Sequence, residues 1–183
     1  MKLILYMTIT ANGYIAKVDG TTPWNTDSWS SYHKTVKQYP AIIIGKNTFQ
    51  IMKEYNDLDK IGNPFTIVIS NSLNEKSENI LSVKTIKEGI EVLKVKDFKE
   101  VLISGGSKLN SSFLKENLID EIILDVDSKI FGKGMPLFDH IDHDIKLNLI
   151  TVKKTSSKLY QVNYSVDRNA EEVSSEETTQ VFT

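Results

Sequence analysis

The chain has 183 residues, 40% of them hydrophobic, and no cysteine, which excludes a disulfide framework, a thiolate nucleophile and any cysteine-ligated zinc or iron–sulfur centre. Its 22 basic and 24 acidic residues give a formal charge of −2, with the lysines scattered rather than gathered on one face, so no nucleic-acid partner is expected. Apolar runs such as residues 41–44 and 122–124 fall far short of the roughly 20 residues a membrane span requires, and polar residues interrupt the signal-like stretch at the start, so a cytoplasmic protein without a membrane partner is expected.

In chain order, residues 2–10 have the β-branched and aromatic content of a strand, left through an Asn12-Gly13 step. Residues 18–25 form a long loop carrying Asp19-Gly20, Pro23 and Trp24, a candidate lid or ligand wall. Thr26 or Asp27 is expected to cap a helix in which Trp29, Tyr32, His33 and Val36 recur at helical spacing. Pro40 ends it. Residues 41–44 are continuously apolar, which suits a strand covered on both faces, and Gly45 separates them from a short helix over 46–52. A strand at 65–69 ends in Ser70-Asn71-Ser72, and a weak strand follows at 80–83. Thr85 and Glu88 form a capping-box pattern for a helix carrying Ile86, Ile90 and Leu93.

Residues 101–104 read as a buried strand broken by Gly105-Gly106, after which residues 107–115 can become a helix. A strand over 119–126, a glycine-rich loop over 131–136, and strands over 145–153 and 158–166 complete the order. Strand–helix units first and a hairpin last predict an α/β fold, with a mostly parallel mixed sheet, helices on both faces and a C-terminal antiparallel hairpin. One domain is expected over residues 1–166. Residues 167–183 hold five acidic residues against one basic, with few apolar ones, and are expected to be a disordered acidic tail.

Three strand ends carry residues suited to phosphates: Gly45-Lys46-Asn47-Thr48, Ser70-Asn71-Ser72 and Ser104-Gly105-Gly106-Ser107. In a parallel sheet the carboxyl ends share one side, where ligands bind, so these segments can converge although distant in sequence. Together they offer a cation, hydroxyls, amides and uncovered N–H groups. Taken singly, each also describes a tight turn with no ligand. Neither G-x-G-x-x-G after the first strand nor a P-loop is present, which disfavours the usual dinucleotide and P-loop folds.

Five stretches in order carry a family resemblance: Met7-Thr-Ile-Thr-Ala-Asn-Gly-Tyr-Ile-Ala16, Ile43-Ile-Gly-Lys-Asn-Thr-Phe49, Val101-Leu-Ile-Ser-Gly-Gly106, Leu118-Ile-Asp-Glu121 and Phe131-Gly-Lys-Gly-Met-Pro-Leu-Phe138. The sequence resembles the dihydrofolate reductase-like fold, a three-layer sandwich, and within it the C-terminal reductase domain of bifunctional riboflavin-biosynthesis (RibD) enzymes. That resemblance implies an NADPH-dependent reductase, often a homodimer, acting on a small pterin-like or pyrimidine-like heterocycle. The reaction would be like that of 5-amino-6-(5-phosphoribosylamino)uracil reductase or dihydrofolate reductase. It also implies that Gly45 and Thr48 contact the pyrophosphate, and that Lys46 faces the 2′-phosphate where an arginine is usual. Ser70 and Asn71 would meet the adenosine end, and Gly105, Gly106 and Ser107 the pyrophosphate and nicotinamide.

The substrate side departs from the family. Tyr6 stands where the riboflavin branch has a lysine and Asn12 where it has an aspartate; both changes remove charge that would meet a phosphorylated pyrimidine. Ungapped alignment on Pro23-Trp24-Asn25 puts Trp29 at the carboxylate position of dihydrofolate reductases, and Asp27 matches only after a two-residue shift. Asp27 is the candidate proton donor, or else an ordinary cap. Tyr6, Asn12, Trp24 and Trp29 are the candidate substrate residues. With no deaminase half present, a stand-alone paralogue is expected, and a non-catalytic NADP(H)-, flavin- or pterin-binding protein is the alternative. His33 reads as helix packing. His140 and His143 among Asp139, Asp142 and Asp144 read as chance spacing, and no metal is expected.

Overall fold

The computed structural model describes residues 1–167; residues 168–183, which make up nearly all of the expected acidic tail, lie outside the described residues. Along the chain the elements are β1 (Lys2–Thr10), β2 (Tyr14–Ala16), α1 (Thr26–Val36), β3 (Ala41–Gly45), α2 (Lys46–Glu54), α3 (Asp57–Lys60), β4 (Phe65–Ile69) and β5 (Ile80–Val83). They continue as α4 (Ile86–Val95), β6 (Glu100–Ile103), α5 (Ser107–Lys115), β7 (Glu121–Asp127), β8 (Met135–Pro136), β9 (Leu147–Lys154) and β10 (Leu159–Val166). Eight strands form one sheet in the order β5-β4-β3-β6-β1-β7-β10-β9. The first six are parallel, and β10 and β9 run antiparallel to their neighbours. The short β2 and β8 pair separately.

Alternation along the central strands divides the core in two. Leu3, Leu5, Ile43, Ile67, Val101 and Ile103 face α4 and α5, which contribute Ile90, Leu93 and Phe113. Ile4, Tyr6, Ile42, Ile44, Leu102 and Ile123 face the other way, against Val36 of α1 and Phe49 and Met52 of α2. A strand buried on both faces has no need of polar alternation, which is why β3 reads as an unbroken apolar run. The expected α/β sandwich and terminal hairpin are therefore present.

Local details differ from expectation at several points. Asn25 caps α1 rather than Thr26 or Asp27: its side-chain carbonyl accepts from the Ser28 N–H at 3.0 Å, and its amide donates to Asp127 on β7 at 2.9 Å. Asn25 thus satisfies a helix end and a strand end together. Thr85 caps α4 as expected, accepting from the Glu88 N–H at 3.1 Å, but the Glu88 carboxylate reaches back to the Lys84 N–H instead of Thr85's own. The one-turn α3, entered through Asn56 at φ +52°, is too short to show helical periodicity in the sequence. Among the described residues no helix is long and apolar enough to cross a membrane.

Gly89 brings α4 onto the sheet: a Cβ there would lie 2.9 Å from Ile67 Cγ2 and 3.3 Å from Ile69 Cδ1. Gly89→Val should lose about 1–3 kcal/mol by overpacking, despite valine's better helix propensity. An unchanged urea midpoint would show that α4 does not sit this close.

Candidate active site

The carboxyl ends of β3, β4 and β6 lie on one side because these strands are parallel. α2 begins at Lys46 directly after β3, and α5 begins at Ser107 after Gly105-Gly106; Gly45 and Gly106 are the N-caps, and neither has a side chain with which to cap its helix. The Gly45 N–H donates to the Gly105 carbonyl at 2.9 Å. A Cβ on Gly45 would lie 3.7 Å from that oxygen, and one on Gly106 3.9 Å from Thr48 Oγ1. Two helix N-termini therefore open side by side, each presenting first-turn N–H groups and the positive end of its dipole. The Gly105–Gly106 peptide is cis, and Gly105 has φ +85°, a conformation open to glycine.

The β4 end joins them. Lys46 Nζ donates to Ser72 Oγ at 2.9 Å, while Ser70 Oγ accepts the N–H groups of Ser72 and Leu73 at 3.2 and 3.0 Å, shaping the turn that carries the exposed Asn71. The Ser107 hydroxyl donates to the Pro136 carbonyl, and the Asn110 amide to Leu137 O at 2.9 Å, so α5 also holds the glycine-rich loop. Gly45, Lys46, Thr48, Ser70, Asn71, Gly105, Gly106 and Ser107 thus lie along one rim. Uncapped N–H groups, a lysine and glycines without obstructing side chains fit the phosphates of a dinucleotide.

Beside this rim stands an aromatic wall. Tyr32 of α1 stacks on Tyr6 at 5.8 Å, Trp29 meets Tyr32 edge-on at 6.0 Å, and Tyr32 shares a 3.3 Å hydrogen bond with Ser104, next to the glycine pair. Tyr6 is fully buried, beneath the wall rather than on it. His33 also belongs to the cluster, 5.9 Å from both Trp29 and Tyr32; burial lowers its pKa, and its Nε2 has no hydrogen-bond partner among the described residues. Trp24 stacks on Phe131 at 5.6 Å, and Lys129 ties the Pro23 carbonyl to the same loop. The Asn12 amide pairs with both peptide groups of Phe131, at 2.8 and 3.2 Å, and accepts from Thr10 Oγ1. Asn12 and Trp24 therefore hold loops together, whereas Asp27 is exposed in the first turn of α1.

Two residues of consequence escaped the sequence reading. Asp125 and Asp127 on β7 are 0% and 2% exposed. Asp125 accepts from the Tyr6 hydroxyl at 2.7 Å and the Gln161 amide at 2.9 Å; Asp127 accepts from the Ser28 hydroxyl at 2.6 Å and the Asn25 amide. Carboxylates this buried persist because neutral donors surround them. Their signal was Leu124-Asp125-Val126-Asp127, a charge at every second position of an otherwise apolar strand. Burial first, then the Asp125 charge, push the Tyr6 phenol far above its usual range; burial also raises Tyr32. Among the described residues no group of three or more His, Asp or Glu side chains could hold a metal ion.

Comparison with known proteins gives these arrangements a context. The family model for the RibD C-terminal domain matches residues 1–160. The chain is 28% identical over 164 residues to the Bacillus subtilis protein YwjB, covering 84% of this chain and 91% of that one. A crystal structure from Shewanella sp. PV-4 superposes with TM-score 0.75 at 25% identity, over 92% of this chain and all of that chain. The Thermotoga maritima diaminohydroxyphosphoribosylaminopyrimidine deaminase/5-amino-6-(5-phosphoribosylamino)uracil reductase shares the fold, with TM-score 0.70 at 22% identity, over 91% of this chain and 56% of that one.

Tyr6→Phe leaves the buried Asp125 one donor short and should lower stability at neutral pH by about 1–3 kcal/mol. Because the folded state raises the Tyr6 pKa, the stability this proton confers is complete below the unfolded value near 10.0 and is lost as pH rises above it. Urea titrations at neutral pH and above pH 10 should show the wild type losing more stability than Tyr6→Phe; parallel losses would show that Tyr6 is not the linked group.

Proposed function

The chain belongs to the RibD C-terminal domain family, of dihydrofolate reductase-like fold, and from that premise we propose an NADPH-dependent reductase that transfers hydride to a small pterin-like or pyrimidine-like heterocycle. The observation that carries this reading is the pair of glycine-capped helix N-termini at Gly45 and Gly106, joined by the Gly45–Gly105 hydrogen bond with Lys46 alongside.

In this reading Gly45, Thr48, Gly105, Gly106 and Ser107 hold the pyrophosphate, Lys46 the 2′-phosphate, and Ser70 with Asn71 the adenosine end. A bound dihydronicotinamide supplies the hydride. The chain's own part is placement. The bare glycine corner admits close approach, and Trp29 and Tyr32 offer the heterocycle an aromatic wall. Tyr6 and Asp125 act as positioning residues that keep Tyr32 in place from below. Trp24, on Phe131, excludes water from the mouth, and Asn12 holds the loop that carries Phe131. The proton for the reduced ring comes from water or from Asp27, which is exposed where α1 begins beside the β7 carboxyl end.

A second reading is favoured by the internal engagement of Tyr6 and Asn12: neither offers charge to a phosphorylated substrate, so a non-catalytic NADP(H)-, flavin- or pterin-binding protein also fits. Incubation with NADPH and a panel of dihydrofolate, folate, biopterin and pyrimidine substrates separates the two. The reductase oxidises NADPH with at least one; the binding protein saturates without oxidation.

Fluorescence titration tests the cofactor site directly. Lys46→Ala should weaken NADPH binding by about 10-fold, the scale of one charge-assisted contact, and leave NADH nearly unchanged. Equal losses for both would remove Lys46 from the 2′-phosphate site, and no saturable response to either cofactor would end the reductase reading.

A further inference from the structure

The row of side chains that β6 turns toward α1 becomes polar at the rim. Leu102 packs in the cluster of Tyr6, Ile44 and Val36; two positions on, Ser104 continues the same face and is only 4% exposed. A buried hydroxyl is costly unless it is paired, and the partner here is the Tyr32 hydroxyl at 3.3 Å. Burial raises the Tyr32 pKa, so the phenol keeps its proton at neutral pH and either oxygen can donate.

The two groups joined by this contact belong to different halves of the site. Through its backbone Ser104 is part of the glycine corner: its N–H donates to the Ile43 carbonyl at 3.0 Å, and the next carbonyl, of Gly105, accepts from Gly45. From the opposite face of the sheet Met7 backs the corner, where a Cβ on Gly105 would lie 3.1 Å from Met7 Cε. Through its side chain Ser104 holds the aromatic wall. Ser28 and Thr35 of α1 pair with Asp127 on β7 and Gln161 on β10, which anchors the helix but does not reach β6. We infer that Ser104 is a positioning residue whose hydroxyl clasps Tyr32 and so fixes the spacing between the aromatic wall and the glycine corner. This rests on the cofactor and heterocycle placements proposed above. A dinucleotide seated on Gly105 and Gly106 steadies Ser104, Ser104 steadies Tyr32, and the heterocycle meets a wall already in place, so the two ligands bind interdependently. The contact is longer than the roughly 2.7–2.8 Å of a typical hydroxyl pair, which leaves Tyr32 room to close on a filled site.

Calorimetric titration of dihydrofolate, folate and biopterin, with and without saturating NADPH, reads this coupling. In the wild type NADPH should tighten the binding of at least one of them by about 5-fold or more. Ser104→Ala and Tyr32→Phe should each cut that enhancement to less than about 2-fold, leave the affinity for NADPH alone within about 2-fold, and cause no further loss when combined. In the oxidation assay the same variants should lower kcat by about 10-fold or more at unchanged KM for NADPH. A hydroxyl that serves only the fold would lower the urea midpoint and leave the enhancement intact. That result, an enhancement absent from the wild type, or additive losses in the double variant would each overturn the inference. A wild type that shows the enhancement without oxidising NADPH would end the reductase reading and keep the clasp; oxidation with an enhancement indifferent to Ser104→Ala would do the reverse.

Discussion

The hydrogen bond from Gly45 to the Gly105 carbonyl is the contact on which the site depends. It joins the ends of two neighbouring parallel strands, each running into a helix with little or no intervening loop. A Cβ at either cap would stand in ordinary contact, 3.7 Å from Gly105 O or 3.9 Å from Thr48 Oγ1, and would narrow the corner rather than part the helices. The helices open together, so their dipoles add at one point of the rim, and the bare glycines leave that point accessible. Lys46 then bridges to Ser72, bringing the β4 end to the same place.

The substrate side is organised differently, by polar groups inside the core. Asp125 and Asp127 link β7 to β1, α1, β10 and the helix cap through Tyr6, Gln161, Ser28 and Asn25. Burying two carboxylates without a cationic partner is unfavourable unless every oxygen facing the protein finds a donor, and this network provides donors from neutral side chains. The consequence is positional specificity: α1 cannot slide along the sheet without stranding a buried charge. Trp29 and Tyr32 inherit that rigidity, whereas Asp27 is exposed in the first turn of α1.

The two halves therefore bear unequally on function. At the rim the chemistry of the residues and their placement point the same way, toward a corner suited to an anion. On the other side, Tyr6 and Asn12 are engaged in internal hydrogen bonds, Tyr6 beneath Tyr32 and Asn12 against Phe131.

By itself the sequence determined the alternation of strands and helices, the terminal hairpin and the strand-end residues that meet at the rim. These follow from local signals: continuous apolar runs, glycine breaks and helical spacing each fit within a dozen residues, and parallel topology places the strand ends on one side. The tertiary structure decided the rest. Tyr6 and Asp125 are 119 positions apart, as are Asn12 and Phe131, and Asn25 lies 102 from Asp127. No local pattern shows that Tyr6 lies beneath the wall, that Asn25 rather than Thr26 caps α1, or that two aspartates on an apolar strand face inward to waiting donors. Those outcomes depend on which strands become neighbours and in what register, a choice made by the packing of the whole sheet.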